Sequence, residues 1–177
     1  MKNGTVFLVK ENPNDKNLIY KVVGWGIRTV THSSYTHVGI YLDGAIYDDT
    51  ISFDGIRIKS GVRKTSGETP PFAVALQLIP KVDLTKDQIL AMKTIAEWEV
   101  QRKIPYNVGL LLSLAFFYPT RNVWDKLGWM PFEKSAKEVC STFVAELFKA
   151  WPVNLDILPG VETNLIAPGD YVNSPIF

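Results

Sequence analysis

The sequence contains three residue types that together support nucleophilic catalysis: one cysteine, a histidine in a β-rich segment and aspartates shortly after that histidine. Cys140 is the only cysteine of the chain, and the residues after it predict a helix that starts close to it. In the first turn of a helix, backbone N–H groups and the helix dipole favour an anion and lower the pKa of a thiol. We therefore predict a thiolate nucleophile. The alternative interpretation is a small buried core residue.

The predicted cysteine helix has one apolar face, and the spacing places Cys140 on it. Cys140 lies three and four positions before the first two apolar residues, which is the spacing of neighbours on a helix surface. Pro152 is predicted to stop the helix. The apolar face consists of Phe143, Val144, Leu147, Phe148 and Trp151.

The histidine lies in a predicted β-hairpin. Residues 36–42 and 45–50 predict two strands, and Asp43-Gly44 between them is a strong signal for a two-residue turn. With Leu42 opposite Ala45, Gly39 faces Asp48 and His37 faces Thr50. Directly opposed residues share a face of the sheet. The predicted shared face consists of His37, Gly39, Tyr41, Ile46, Asp48 and Thr50.

The hairpin register decides which aspartate accompanies His37. Asp49 points to the other face together with Val38, Ile40 and Leu42, and a slip of one residue would exchange it for Asp48. Gly39, beside His37, leaves room for the end of the cysteine helix or for a substrate.

Cysteine, histidine and a third polar group form the arrangement used in nucleophilic catalysis. The imidazole takes the thiol proton, and the third group holds the ring in the required tautomer. This interpretation assigns the three roles to Cys140, His37 and Asp48. The alternatives are a half-buried structural histidine and a solvated hairpin aspartate. His32 is interpreted as a residue of a surface loop.

The remaining pattern predicts an α+β domain with an antiparallel sheet packed against helices, spanning residues 1–177. Thr85 and Gln88 have the spacing of a capping box at the start of a helix. A second, very apolar helix is predicted at 107–117, followed by an irregular segment at 119–131. The other predicted elements are strands at 4–9, 55–59 and 72–79, a helix at 17–29, a loop at 61–71, a helix from 84 to Pro105 and a C-terminal loop leading to a short edge segment.

Composition excludes several classes of protein. The net charge of +1 argues against a nucleic-acid-binding protein held by a basic surface. One cysteine cannot form an intrachain disulfide or a thiolate zinc cluster, and two histidines argue against a His-rich metal site. We therefore expect no cofactor and no metal. The sequence leaves the oligomeric state open.

Neither the N-terminal residues nor the longest apolar run predicts membrane association. Residues 1–5 lack the apolar core of a signal peptide. The longest apolar run, residues 108–118, contains Ser113 and is too short to span a bilayer. These features predict a soluble protein without a transmembrane segment, and we expect it to be cytoplasmic.

Four segments resemble the permuted papain-like amidases, the YiiX-like branch of the NlpC-type cysteine hydrolase superfamily. The histidine strand precedes the cysteine helix, as in the permuted branch, whereas unpermuted relatives have the opposite order. The resemblance covers most of the chain and is weakest at 109–137. The four segments are Tyr35–Leu42, Ile46–Thr50 continuing to Asp54–Ile56, Val139–Ala145 and Ala167–Asp170.

The resemblance implies a permuted papain-like fold with Cys140 as nucleophile and His37 as base. The third residue of the family is often a glutamate, whereas this sequence has Asp48, with Asp49 as the second candidate. The implied activity is hydrolysis of an amide in a peptide or peptidoglycan-like substrate through an acyl-thioester. A backbone N–H at the start of the cysteine helix is expected to contribute to the oxyanion hole. Tyr35 and Tyr106 are guesses for the second donor.

Two other functions remain open. One is a lipid thioesterase or acyltransferase of the lecithin-retinol type, which also has the permuted order, and which an acyl tunnel lined by residues 110–117 would favour. The other is a papain-like scaffold that serves as a binding module without catalysis. Reactivity of the thiol separates the enzymes from the binding module, and the chemistry of the substrate separates the two enzymes.

Overall fold

The computed structural model describes residues 1–10, 24–25, 27–29, 31, 33–54, 57–103 and 139–177, with the backbone alone at 51–54 and 57–60. This part of the chain is α+β, with an antiparallel sheet in the strand order β4-β3-β2-β1-β5. The elements are β1 Val6–Lys10, β2 Tyr35–Leu42, β3 Ala45–Asp54, β4 Arg57–Ser66, β5 Val74–Leu78, α1 Lys86–Arg102, α2 Cys140–Lys149 and two 3₁₀ helices, Thr163–Leu165 and Pro168–Asn173.

The β2–β3 hairpin has the predicted register. Leu42 pairs with Ala45 and Gly39 pairs with Asp48. Both turn residues have a positive φ, 45° at Asp43 and 83° at Gly44, which is the geometry of the type I′ turn that an Asp-Gly sequence favours. The turn therefore fixes which side chains of the two strands share a face.

Strand β4 is longer than predicted. The expected loop from 61 to 71 is wrong in its first part, because the strand continues to Ser66 and pairs with β3 along its whole length. Gly61, which suggested a turn, has a φ of 127° and still pairs with Thr50. Pairing with a neighbouring strand outweighs the local signal of one glycine. Consequently Arg63 and Lys64 are strand residues opposite Asp48 and Tyr47.

Helix α1 starts as its sequence predicts. The Gln88 N–H donates to the Thr85 hydroxyl at 3.2 Å, and the Thr85 N–H donates to the Gln88 side chain at 2.9 Å, which completes the capping box. The helix ends at Arg102, before Pro105, and Lys103 adopts the left-handed conformation with a φ of 51°.

The two faces of the sheet bear separate apolar clusters. One contains Phe7, Tyr41 and Ile46, with Phe72 and Val74 packed against them. The other is the main core, where α2 packs against the opposite face of β2. Its members from these two elements are Val38, Ile40, Leu42, Cys140, Phe143, Val144, Ala145, Leu147 and Phe148.

Helix α2 ends earlier than the apolar pattern indicates. Its last residue is Lys149, and Trp151, placed on the apolar face by sequence spacing, is 87% exposed. The prediction for Trp151 is wrong because this residue lies beyond the helix, where helical spacing no longer determines its direction. The expected C-terminal loop contains the two 3₁₀ helices instead of an irregular chain.

Several predictions fall outside the described residues. These are the helix at 107–117, the segment at 119–131, the residues His32 and Tyr106, and most of the helix at 17–29, whose described residues 24–25 and 27–29 are helical. Among the described residues, no helix is long and apolar enough to cross a membrane.

Candidate active site

His37 and Asp48 form an ion pair on the face that the hairpin register predicts. The distance from His37 Nε2 to Asp48 Oδ2 is 3.0 Å. The Asp48 side chain is completely buried, whereas the His37 side chain is 21% exposed. A buried carboxylate in contact with an imidazole fixes the orientation of the ring and stabilises its charged form. The structure thus brings together the two strand residues that the sequence selected.

Cys140 is the second neighbour of the His37 ring, since its charge and a side-chain hydrogen bond both raise the pKa of that ring. Because Nε2 of the ring contacts Asp48, Nδ1 is the nitrogen that remains for the thiol. Cys140 is the first residue of α2 and is 3% exposed. The helix body packs on the face of β2 opposite to His37, and His37 lies near the start of β2. There Tyr35, the first residue of β2, pairs with Lys10, the last residue of β1.

The electrostatics of the site favour a charged imidazole. Burial lowers the pKa of His37, but the negative charge of the Cys140 thiolate and hydrogen bonds to Asp48 and Cys140 raise it, with a net result of about 10. Burial likewise opposes the charge of Asp48, but the hydrogen bonds and positive charges of His37 and Arg63 lower the pKa of this carboxyl. Both shifts favour a charged imidazole next to a charged Asp48 carboxylate.

Helix α2 begins without a capping side chain at the residue that precedes it. The residue before the helix is Val139, which cannot accept a hydrogen bond through its side chain. The Thr142 hydroxyl accepts from the Val139 N–H at 3.0 Å, so this hydroxyl is directed back along the chain. The N–H groups in the first turn of a helix favour a nearby anion.

Tyr171 fixes the first turn of α2 from the C-terminal segment. Its hydroxyl donates to the Ser141 carbonyl at 2.6 Å, and its side chain is completely buried. Burial raises the pKa of Tyr171 far above its usual value, and the negative charge of Cys140 raises it further. The hydroxyl therefore remains a neutral donor beside the site.

Gly169 allows the segment from Ala167 to Asp170 to pack closely against the chain that leads to β2. A Cβ at Gly169 would lie 2.5 Å from the Cβ of Ser33, so only glycine allows this approach. The Ser33 hydroxyl accepts from the Tyr35 N–H at 3.0 Å, at the start of the histidine strand. The C-terminal segment consequently contacts both the chain leading to His37 and, through Tyr171, the helix of Cys140.

Arg63 is a site residue that the sequence interpretation missed. Its guanidinium donates from Nε to Asp48 Oδ1 at 3.1 Å and from Nη2 to Asp48 Oδ2 at 2.8 Å. The sequence contained one signal for it: extending the alternation of β4 beyond Gly61 places Arg63 opposite Asp48. Because residues 61–71 were predicted to be a loop, Arg63 was not considered a strand residue.

Phe72 fills the space that Gly39 was expected to leave for the helix end or a substrate. A Cβ at Gly39 would lie 3.1 Å from Phe72 Cζ and 3.2 Å from Asp48 Cβ. The Phe72 ring packs edge-on against His37, with 5.4 Å between the ring centroids. This ring shields the His37–Asp48 pair from water and strengthens their attraction.

Two further residues were candidates in the sequence, Asp49 and Tyr35. Asp49 is buried and points to the opposite face, as its place in the hairpin predicts. Tyr35 is partly buried, with the ammonium of Lys10 5.6 Å from its ring centroid. The described residues contain no group of three or more His, Cys, Asp or Glu side chains that could hold a metal ion.

Comparisons of the chain with protein-family models, with curated proteins and with solved structures find no match. Any functional interpretation therefore depends on the residues and their geometry, together with the resemblance of the four sequence segments.

Proposed function

We propose that this protein is a cysteine hydrolase that cleaves an amide bond in a peptide or peptidoglycan-like substrate through an acyl-thioester intermediate. The observation that supports the proposal is the position of His37. Its ring interacts with the Cys140 thiol and contacts the buried Asp48 carboxylate through Nε2. A cysteine that only fills the core needs no such partner. The choice of an amide substrate follows from the resemblance to the permuted amidases.

In the first half of the proposed reaction, the Cys140 thiolate adds to the carbonyl carbon of the substrate. The carbonyl oxygen becomes an oxyanion, which the first-turn N–H groups of α2 stabilise. When the tetrahedral intermediate collapses, the C–N bond breaks and the His37 imidazolium gives its proton to the leaving amine. The products of this half are a free amine, an acyl-thioester on Cys140 and a neutral imidazole.

In the second half, water hydrolyses the thioester. His37 takes a proton from the water as its oxygen adds to the thioester carbonyl, and the C–S bond then breaks. The carboxylic acid leaves, and the imidazolium–thiolate pair is restored. Asp48 holds the ring in one orientation throughout and stabilises its charged form, without itself accepting the proton.

We also propose a permuted papain-like arrangement for the chain. The order of the segments supports it: the histidine strand β2 and the acid strand β3 precede the cysteine helix α2. The segment after α2, around Gly169 and Tyr171, contacts the chain leading to β2 and the first turn of α2. The residues that would line an acyl tunnel in the lipid alternative, 110–117, lie outside the described part of the chain.

The experiment is covalent labelling of the thiol, first with a small electrophile because Cys140 is 3% exposed. Iodoacetamide should alkylate Cys140 with a midpoint well below about 8.5, the value for an ordinary cysteine, and His37→Ala should move this midpoint upward. Peptide-amide and acyl-ester electrophiles, followed by mapping of the modified residue, then distinguish amide from lipid chemistry. Cys140→Ser and His37→Ala should each abolish hydrolysis of the amide that labels best, with strongly non-additive effects.

An alkylation midpoint near 8.5 that His37→Ala leaves unchanged would refute the proposal and favour the binding-module interpretation. Additive losses from the two substitutions, or a Cys140→Ser variant that unfolds, would instead assign the cysteine to the core. Circular dichroism of each variant provides the control for folding.

A further inference from the structure

The guanidinium of Arg63 and the ring of His37 share one carboxylate, and this geometry suggests a role that the proposed mechanism has not used. Arg63 Nη2 and His37 Nε2 contact the same oxygen, Asp48 Oδ2, at 2.8 and 3.0 Å. Arg63 Nε contacts the other oxygen, Oδ1, at 3.1 Å. A two-point contact of this kind fixes the plane of a carboxylate as well as its position.

We propose that Arg63 is a positioning residue of the Cys140–His37 pair: its two-point contact holds the Asp48 carboxylate so that Oδ2 is directed at His37 Nε2. The proposal rests on the proposed function, since it concerns the same site. Arg63 acts through Asp48 and has no direct part in the chemistry.

Burial explains why Asp48 needs this second partner. Its side chain is completely buried, whereas that of Arg63 is 43% exposed. A carboxylate removed from water requires hydrogen bonds to both oxygens to remain charged, and His37 contacts only one of them. Without Arg63, the carboxylate would lose the partner of Oδ1 and could rotate or take up a proton. Either change weakens its hold on the imidazolium and therefore the stabilisation of the thiolate.

Within the described part of the chain, the charged groups that contact Asp48 come from β2 and β4. His37 comes from β2 and Arg63 from β4, while Phe72, from the loop before β5, contributes an uncharged ring. Cys140 interacts with His37 from the start of α2. We therefore expect the loss of Arg63 to affect the thiol through the Asp48–His37 contact.

The next residue of the same strand offers a matched control. Lys64 is also a half-exposed cation of β4, and its ammonium donates to Glu97 of α1 at 2.5 Å. It pairs with Tyr47, so it points to the opposite face of the sheet. Arg63→Met and Lys64→Met remove the same charge from neighbouring positions, and only the first removes a partner of Asp48.

The experiment measures the rate of Cys140 alkylation by iodoacetamide as a function of pH, which requires no knowledge of the substrate. Arg63→Met should move the midpoint upward by about half to one pH unit, less than His37→Ala. Lys64→Met should leave it unchanged. Arg63→Lys, which keeps the charge but loses the two-point contact, should fall between wild type and Arg63→Met. Guanidinium chloride at tens of millimolar should restore the midpoint of Arg63→Ala, because the vacated position opens to solvent.

The outcomes separate this proposal from the proposed function. If His37→Ala shifts the midpoint while Arg63→Met does not, the positioning role of Arg63 is refuted and the function stands. If neither substitution shifts it, the proposed function fails as well. If Arg63→Met unfolds, the folded Arg63→Lys variant decides: a midpoint identical to wild type would overturn the proposal. Failure of guanidinium to restore Arg63→Ala, with the fold intact, would also contradict it.

Discussion

Strands β3 and β4 contain two neighbouring cross-strand pairs, each with a cation on β4 that bonds to an acidic side chain. Asp48 pairs with Arg63, and Tyr47 pairs with Lys64, one position away. Because side chains alternate along a strand, the two pairs point to opposite faces of the sheet. Each pair gains a third partner: His37 for the first, and Glu97 of α1 for the second.

The two clusters differ in what surrounds the acidic group. Glu97 is 29% exposed and its partner Lys64 is 36% exposed, so solvent screens their attraction. Asp48 is completely buried, and its histidine continues to a thiol. The two ion pairs therefore differ in how strongly solvent screens them and in whether their network includes a thiol. One cluster, Tyr47 with Lys64 and Glu97, connects α1 to the sheet. We propose that the other cluster, Asp48 with Arg63 and His37, activates Cys140.

Among the substitutions that test the difference between the two clusters, we expect Asp48→Asn to have the largest effect. Asp48→Asn keeps the size of the side chain but removes the charge that stabilises the imidazolium, so turnover of the best amide substrate should fall about tenfold to a thousandfold, with little change in KM. Asp49→Asn, on the opposite face, should be close to neutral. Steady-state kinetics of the two variants provide the measurement.

A damaging Asp49→Asn with a neutral Asp48→Asn would contradict this assignment and transfer the orienting role to the other face. If neither substitution matters, an uncharged group orients the ring, with Thr50 or a backbone carbonyl as the next candidates. In both cases the contact between Asp48 and His37 would be structural.

The site residues could be predicted from the sequence where a local signal fixed the geometry. The Asp43-Gly44 turn determined the hairpin register, and the register selected Asp48 over Asp49 as the partner of His37. The spacing of apolar residues placed Cys140 in the first turn of a helix. Each of these signals lies within a few residues of the feature that it determines.

Features that depend on contacts between distant segments could not be predicted in the same way. Arg63 was missed because the length of β4 depends on pairing with β3, which outweighs the turn signal of Gly61. The roles of Phe72 and Gly169 depend on approaches to Gly39 and Ser33, which are far away in sequence. No spacing rule within one segment contains that information.

The charge state of His37 gives the second prediction. Its pKa, raised to about 10, exceeds the value of about 6.5 for an unfolded chain. Taken by itself, the charged ring therefore stabilises the fold fully below pH 6.5, and this contribution is lost as the pH rises through about 10. The thiolate of Cys140 is the largest of the causes that raise this pKa. In Cys140→Ser the midpoint of His37 should consequently fall well below 10.

Proton NMR of the imidazole signals measures this midpoint directly. The sequence has two histidines, and His32→Gln identifies the signal of His37. A midpoint near 6.5 in the wild type would remove the imidazolium–thiolate pair from the site. A high midpoint that Cys140→Ser leaves unchanged would assign the raised pKa to Asp48 alone.

The smallest expected effect lies on the other face, at Tyr47. Its hydroxyl donates to Glu97 Oε1 at 2.7 Å, and the ring is completely buried. Tyr47→Phe removes this hydrogen bond and keeps the ring, so the free energy of unfolding should fall by about 1 kcal/mol. Glu97 keeps Lys64 and contact with solvent, which limits the loss. Urea denaturation measures the change, and the alkylation midpoint of Cys140 should remain at its wild-type value. A shift of that midpoint comparable to the one expected for Arg63→Met would mean that the two faces are coupled through β3 and β4. The division between a cluster that holds α1 and a cluster that activates the thiol would then fail.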